Sequence, residues 1–127
     1  MGRRCMVECS VKDGRIHIEA KAISIGEDLC VIISGGDTPH IGCVTASVPR
    51  PSLLDPNIIS ATTSVINFIG HKDDEVAKYV SHKLSLSLNK NVVATCGIHI
   101  ERITMEEIKK VKALTEKLAQ ILLSKLS

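Results

Sequence analysis

Apolar and polar residues alternate from residue 5 to residue 11, the period of a half-buried strand. Asp13-Gly14 follows as a type I′ hairpin signal, and Ile16, Ile18, Ala20 and Ala22 resume the alternation. The apolar phase then shifts to Ile23 and Ile25, which predicts a bulge or a bend. After a turn at Gly26-Glu27-Asp28, the unbroken run LCVII reads as a buried central strand. Residues 41–48 and the β-branched, threonine-rich stretch 60–69 read as two more strands. Between them PRPSLLDPN is expected to be irregular, because each proline breaks pairing and constrains the residue before it.

Past Gly70 the spacing becomes helical. Asp73, Asp74 and Glu75 place negative charge in a first turn, where the helix dipole favours it. Val76, Tyr79, Val80, Leu84 and Leu88 form one stripe, and Asn89-Lys90-Asn91 ends it. VVATCGIHI returns as a strand. The last helix opens with a Thr104–Glu107 capping box and an Ile103–Ile108 staple. It carries Ile108, Val111, Leu114, Leu118, Ile121 and Leu122 on one face. The order β-β-β-β-β-α-β-α predicts an α+β domain over residues 1–127, a mainly antiparallel sheet with helices at about 72–89 and 104–125 on one face. The other face then needs burial, most simply against a second copy or a partner protein, so a homo-oligomer is expected.

Composition narrows the function classes. A chain of 127 residues that is 44% apolar suits one globular domain and excludes disorder. No run approaches the ~18 apolar residues of a membrane span. The start, MGRRCMVECS, lacks the apolar core of a secretion signal, so a cytoplasmic location is expected. The five cysteines show no CxxC spacing and read mainly as reduced core thiols: Cys5 and Cys9 share a strand face with Val7 and Val11, and Cys30 and Cys43 sit in apolar runs. Cys96, beside Gly97 and close to His99, is left open. A net charge of +2, with one Phe and one Tyr, gives neither an electrostatic footprint nor a stacking platform for nucleic acid.

Candidate chemistry gathers between Gly35 and Asp74, where all four prolines lie with His40, Arg50 and His71. Such conformationally special residues suit a binding surface. Gly35-Gly36-Asp37 at a strand end forms either a plain turn or a nest of backbone N–H groups for an anion. Arg50, fixed between Pro49 and Pro51, either grips a phosphate or carboxylate or pins its loop through Asp55. His71-Lys72 at a helix start joins two cations to free first-turn N–H groups, while Asp73 and Asp74 either cap that helix, oppose the anion or bind a bridging cation. His40, His71 and His99 with carboxylates suggest a metal site, although no recognised ligand spacing is present. His17 and His82 read as solvated. GxGxxG, GxxxxGK[ST] and GxSxG are all absent.

Taken together, GGDTPHIG, PRPSLLDP, ISATTSVINFIGHKDDEVA and GIHIE resemble the small LpdD-like proteins encoded with reversible decarboxylases of the UbiD type. The resemblance covers almost the whole chain. It implies a non-catalytic accessory protein, a chaperone that binds or delivers prenylated flavin mononucleotide (FMN) to a partner decarboxylase. The motif positions it implies are Asp37, His40, Arg50, Ser52, His71, Lys72 and Asp73. Arg50, His71-Lys72 and the Gly35-Gly36 turn are the candidates for the flavin phosphate. With Phe68 and Tyr79 the sole aromatics, the ring is expected on aliphatic side chains, on backbone or between subunits. An assembly factor without a small ligand and a histidine-based metal enzyme are the alternatives.

Overall fold

The computed structural model describes residues 6–68 and 74–127, so expectations resting on Cys5 or on residues 69–73 lie outside the described residues. Eight elements follow in the expected order: β1 (Met6–Asp13), β2 (Ile16–Ile25), β3 (Asp28–Gly36), β4 (Cys43–Pro51), β5 (Ile59–Asn67), α1 (Asp74–Leu88), β6 (Val92–His99) and α2 (Met105–Leu126). The strands form one sheet in the order β1-β2-β3-β6-β4-β5. The β3–β6 pair is parallel and the other pairs are antiparallel. The fold is α+β. Its topology turns on β6, which returns through α1 to lie between β3 and β4.

Alternation decides which face each residue joins. Val7, Val11, Ile16, Ile18, Ala20, Ala22, Val31, Ile33, Ala94 and Cys96 point to one face and are buried. On this inner face α2 packs over β1 and β2, and α1 over β4, β5 and β6. Leu84 of α1 and Leu118 and Leu122 of α2 are fully buried there. The capping box is present: Glu107 N–H donates to Thr104 Oγ1 (3.1 Å) and Thr104 N–H to Glu107 Oε1 (3.0 Å). Asn89, left-handed at φ 55°, follows the last residue of α1.

One part of the inner face is polar. Thr45 Oγ1 meets Ser81 Oγ (2.9 Å) and donates to Ala77 O (3.3 Å), and Ser47 Oγ donates to Ser81 Oγ (2.9 Å). Thr63 Oγ1 extends the chain from Ser47 (2.7 Å) to His82 Nδ1 (3.3 Å). Thr45, Ser47 and Ser81 are buried, so these bonds replace the water that each hydroxyl gives up and fix α1 against β4. His82, expected to be solvated, ends this chain.

Four local expectations are corrected. The shift to Ile23 and Ile25 is not a bulge: β2 pairs without interruption on both sides, and these residues belong to the outer face. The run LCVII is buried on one face only, since Ile32 points outward and is exposed. Irregularity begins later than expected, because β4 continues through Pro49 and Pro51 opposite Ala61 and Ile59. Ser52 N–H donates toward β5, to Ile58 O (2.7 Å), so the two prolines put their missing N–H on the other side. There β6 has already ended its pairing at Ser47, and no ladder bond is lost. The first hairpin has positive φ at Gly14 and not at Arg15, a type II′ rather than a type I′ turn.

Candidate functional site

Among the described residues the outer face of the sheet carries no helix. Its β1–β2 part mixes Glu8, Lys12, His17, Glu19 and Lys21 with Met6, Ile23 and Ile25, and Glu8 and Lys21 pair at 3.8 Å. Across β3, β6, β4 and β5 the residues are different. Cys30, Ile32, Ser34, Val93, Thr95, Val44, Ala46, Val48, Thr62, Ser64 and Ile66 form an uncharged floor. Asp28 and Arg50 lie at one end of this floor and His99 at the other. Ile32, Val48, Ile66 and Val93 are all exposed. The candidate residues divide between the two ends.

Gly35, Gly36, Asp37 and His40 belong to the end where the parallel strands β3 and β6 finish. A side chain at Gly36 (φ 75°) would strike the carbonyl of His99, and one at Gly97 would strike that of His40. The segment 37–42 therefore lies directly against β6, a close approach that only glycine permits. Asp37 N–H and Thr38 N–H both donate to His99 O, at 2.6 and 3.4 Å. The amides after Gly35-Gly36 thus hold the segment down. Asp37 Oδ2 accepts from Glu101 N–H (2.9 Å) and faces Arg15 Nη1 (3.7 Å). His40 Nδ1 meets Thr38 O (3.0 Å), and His99 Nε2 meets Glu101 Oε1 (3.1 Å).

Arg15, which the sequence reading did not single out, ties this end together. Its Nε and Nη2 donate to the Glu107 carboxylate at 2.7 and 2.9 Å, and Nη2 also donates to Glu101 O (2.7 Å). The Arg15 hydrogen bond, with the Thr104 N–H, lowers the Glu107 carboxyl to about 2. The position was legible only as a hairpin residue, because its partners lie far along the chain in the α2 cap.

Arg50 and Ser52 belong to the opposite end. At about 3.3 Å per strand residue, Arg50 stands more than roughly 20 Å from Cys43, where the other group begins. A single phosphate cannot touch both within one chain, so the expected common pocket divides in two. Arg50 Nε donates to Thr62 Oγ1 (2.7 Å) and Nη1 to Pro51 O (3.0 Å), while Nη2 has no partner among the described residues. The alternative pairing with Asp55 is not made, since Asp55 Oδ1 accepts Asn57 N–H (3.0 Å) instead. Ser52 Oγ accepts Leu54 N–H (3.2 Å), and Ile58 N–H donates to Asp55 O (3.0 Å). These bonds, with Pro51 and Pro56, hold a tip on which Leu53 and Leu54 are 89% and 97% exposed.

His71, Lys72 and Asp73 lie outside the described residues. Among the described residues no three His, Cys, Asp or Glu side chains group as a metal site, and no helix is long and apolar enough to cross a membrane. Cys43 and Cys96 are buried, outside any disulfide, and face each other on β4 and β6. Cys96 is therefore one of the core thiols, whereas half-buried Cys30 faces outward. A shallow concavity over Glu8, Cys9, Ser10, Glu19, Ala20 and Lys21 contains none of the six candidates among the described residues.

Comparison with known proteins adds three findings. The family model described as the prenylated flavin chaperone LpdD-like domain matches residues 12–127. Protein LpdD of Lactiplantibacillus plantarum is 29% identical over 102 residues, which are 79% of this chain and 70% of that protein. A chain from the crystal structure of a chaperone complex for yeast 20S proteasome assembly superposes with a TM-score of 0.60 at 12% identity, covering 98% of this chain and 100% of that one. At that identity the last likeness is one of fold.

Proposed function

The chain belongs to the prenylated flavin chaperone LpdD-like family, a family of chaperones and not of enzymes, and we propose that it holds prenylated FMN, or its FMN precursor, for a UbiD-type decarboxylase. The observation that carries this reading is Arg50 at the edge of the uncharged floor. Thr62 and the Pro51 carbonyl orient its guanidinium, and Nη2 is left for a phosphate. A guanidinium already held in place gives phosphate a strong charge-assisted hydrogen bond. Next to it on the outer face, Val48 offers aliphatic contact for a ring, and Ser60, Thr62 and Ser64 offer hydroxyls for a polyol chain. The residues present therefore fit a phosphorylated flavin whose ring lies on aliphatic side chains rather than on aromatic ones. Bound there, the flavin would be carried as cargo, and this chain's part is to hold it.

His71, Lys72 and Asp73 are proposed as further ligand groups on the resemblance of the GHKDD motif. Gly35, Gly36, Asp37 and His40 are proposed as a wall that meets the ligand through backbone. Titrating the protein with reduced prenylated FMN, FMN and riboflavin tests the reading. Saturable binding of the two phosphorylated flavins near micromolar concentration is expected, and no binding of either contradicts it.

The tip at Leu53-Leu54 supports the partner half of the proposal. Two leucines held almost wholly in water by a rigid turn are a preorganised hydrophobic knob, which suits a concave apolar pocket on another protein. The same tip favours the second reading, an assembly factor that needs no small ligand. Binding to the decarboxylase that rises with flavin separates the carrier from the assembly factor, for which flavin makes no difference. In either case L54D is expected to weaken the complex.

A further inference from the structure

We infer that a one-way chain of hydroxyls holds neutral His82 in its Nδ1–H form and turns Nε2 outward at the α1–β5 edge. Nε2 is then a fixed hydrogen-bond acceptor, a site for an N–H or O–H group of a ligand or partner. The chain runs from Ala77 O through Thr45, Ser81, Ser47 and Thr63 to His82, with contacts of 3.3, 2.9, 2.9, 2.7 and 3.3 Å. A hydroxyl has one proton to give and lone pairs with which to accept, whereas a carbonyl only accepts. Thr45 therefore spends its proton on Ala77 O. Ser81 must then donate to Thr45, and Ser47 to Ser81, which is the direction that the Ser47–Ser81 geometry allows. With that proton used, Ser47 is left to accept from Thr63. Thr63 has no second proton for His82, so Nδ1–H of the ring is the donor to Thr63 Oγ1. Thr45, Ser47 and Ser81 are buried, and a reversal anywhere along the chain would leave one of them without its partner and out of reach of water.

The bond made at one ring nitrogen of a histidine decides what the other offers. With the proton held at Nδ1, neutral His82 keeps its available lone pair on Nε2, which has no partner among the described residues. The ring is half-buried, and it stands over β5, the last strand of the sheet. No ionisable side chain occurs in β5 (Ile59–Asn67), so that strand brings no charge to compete for the nitrogen. Nε2 therefore selects its ligand. It accepts from an amide, a hydroxyl or an ammonium group, and while the ring is neutral it has nothing to give a carbonyl or a carboxylate. A single imidazole is too few ligands for a metal centre, which leaves a hydrogen-bond donor as the class that fits. The inference stands apart from the proposed flavin site, because Thr63 lies on the inner face of the sheet and Arg50 on the outer.

Two measurements on the full-length protein test the inference. Long-range proton–nitrogen correlation spectra at about pH 8.5, roughly two units above the ordinary histidine value, read the tautomer, with H82N identifying the His82 signals. The wild type is expected to carry its proton on Nδ1 and none on Nε2. In S47A the Thr63 proton is released and can be donated to Nδ1, so an Nε2–H population is expected to appear. T63V removes the partner itself and is expected to give the mixed tautomers of a free ring. A wild-type proton on Nε2, or a tautomer unmoved in both variants, overturns the chain as the cause. Brief treatment with diethyl pyrocarbonate, which attacks an unprotonated imidazole nitrogen, followed by peptide mapping, reads whether that nitrogen is presented. Modification of His82 in the folded wild type is expected. His82 left unmodified while the exposed His17 reacts overturns the outward acceptor.

Discussion

The two faces of the sheet obey one alternation and do opposite things. On the inner face Ile18, Val31, Ala94 and Leu118 are completely buried, and even the hydroxyls of Thr45, Ser47 and Ser81 are bonded to one another. On the outer face Ile32, Val48 and Val93 sit one residue away from such positions and are left in water. The inner face answers the demands of folding a small chain. The outer face costs this chain exposed apolar area, which is retained where a second body covers it. The lesson is that apolar residues found in the wrong phase, such as Ile23 and Ile25, point to association as readily as to a bulge.

Substitutions sharpen that contrast. The largest effect is expected inside: L118A should cost about 2–5 kcal/mol in urea denaturation, from lost transfer energy plus a residual cavity. In dilute protein I66S on the outer face should stay within ~0.5 kcal/mol, and comparable losses at the two positions would erase the distinction. G97V comes next. Its side chain must displace the His40 backbone, so about 1–3 kcal/mol is expected, along with faster amide exchange in residues 37–42. S81A follows at about 1–3 kcal/mol, since it leaves Thr45 and Ser47 short of a buried partner.

The smallest effect is electrostatic and lies at the surface. The Arg15 hydrogen bond and the Thr104 N–H hold the Glu107 carboxyl at about 2, below its ordinary 4.5. A depressed carboxyl adds stability above its unfolded value and loses it as pH falls toward its folded value. Wild-type stability should therefore decline between pH 4.5 and about 2. E107Q should be less stable near neutrality and show a shallower decline in that window, which thermal melts across the range would check.

Most of the architecture was legible in the chain because it is written in short-range periods. Period two marked the inner residues of β1 and β2, and the Thr104–Glu107 pair announced α2 within a residue. The insertion of β6 between β3 and β4 was not legible, because no local pattern records which strands become neighbours. The candidate residues could be named from the chain, but where they lie could not. Arg50 and His40 are close in sequence, yet β4 is an extended strand that carries them to opposite ends of the sheet. Arg15 shows the converse, a turn residue whose partners Glu101 and Glu107 arrive from beyond β6. Proximity along a strand is separation in space.

The most direct test is to compare FMN with riboflavin binding in the wild type and in R50A, by calorimetry, with R50K as the geometric control. Loss of the charge-assisted contact from Nη2 should weaken FMN by at least about tenfold and leave riboflavin nearly unchanged, with R50K in between. Equal weakening of both flavins, or none, would contradict a phosphate held at Arg50.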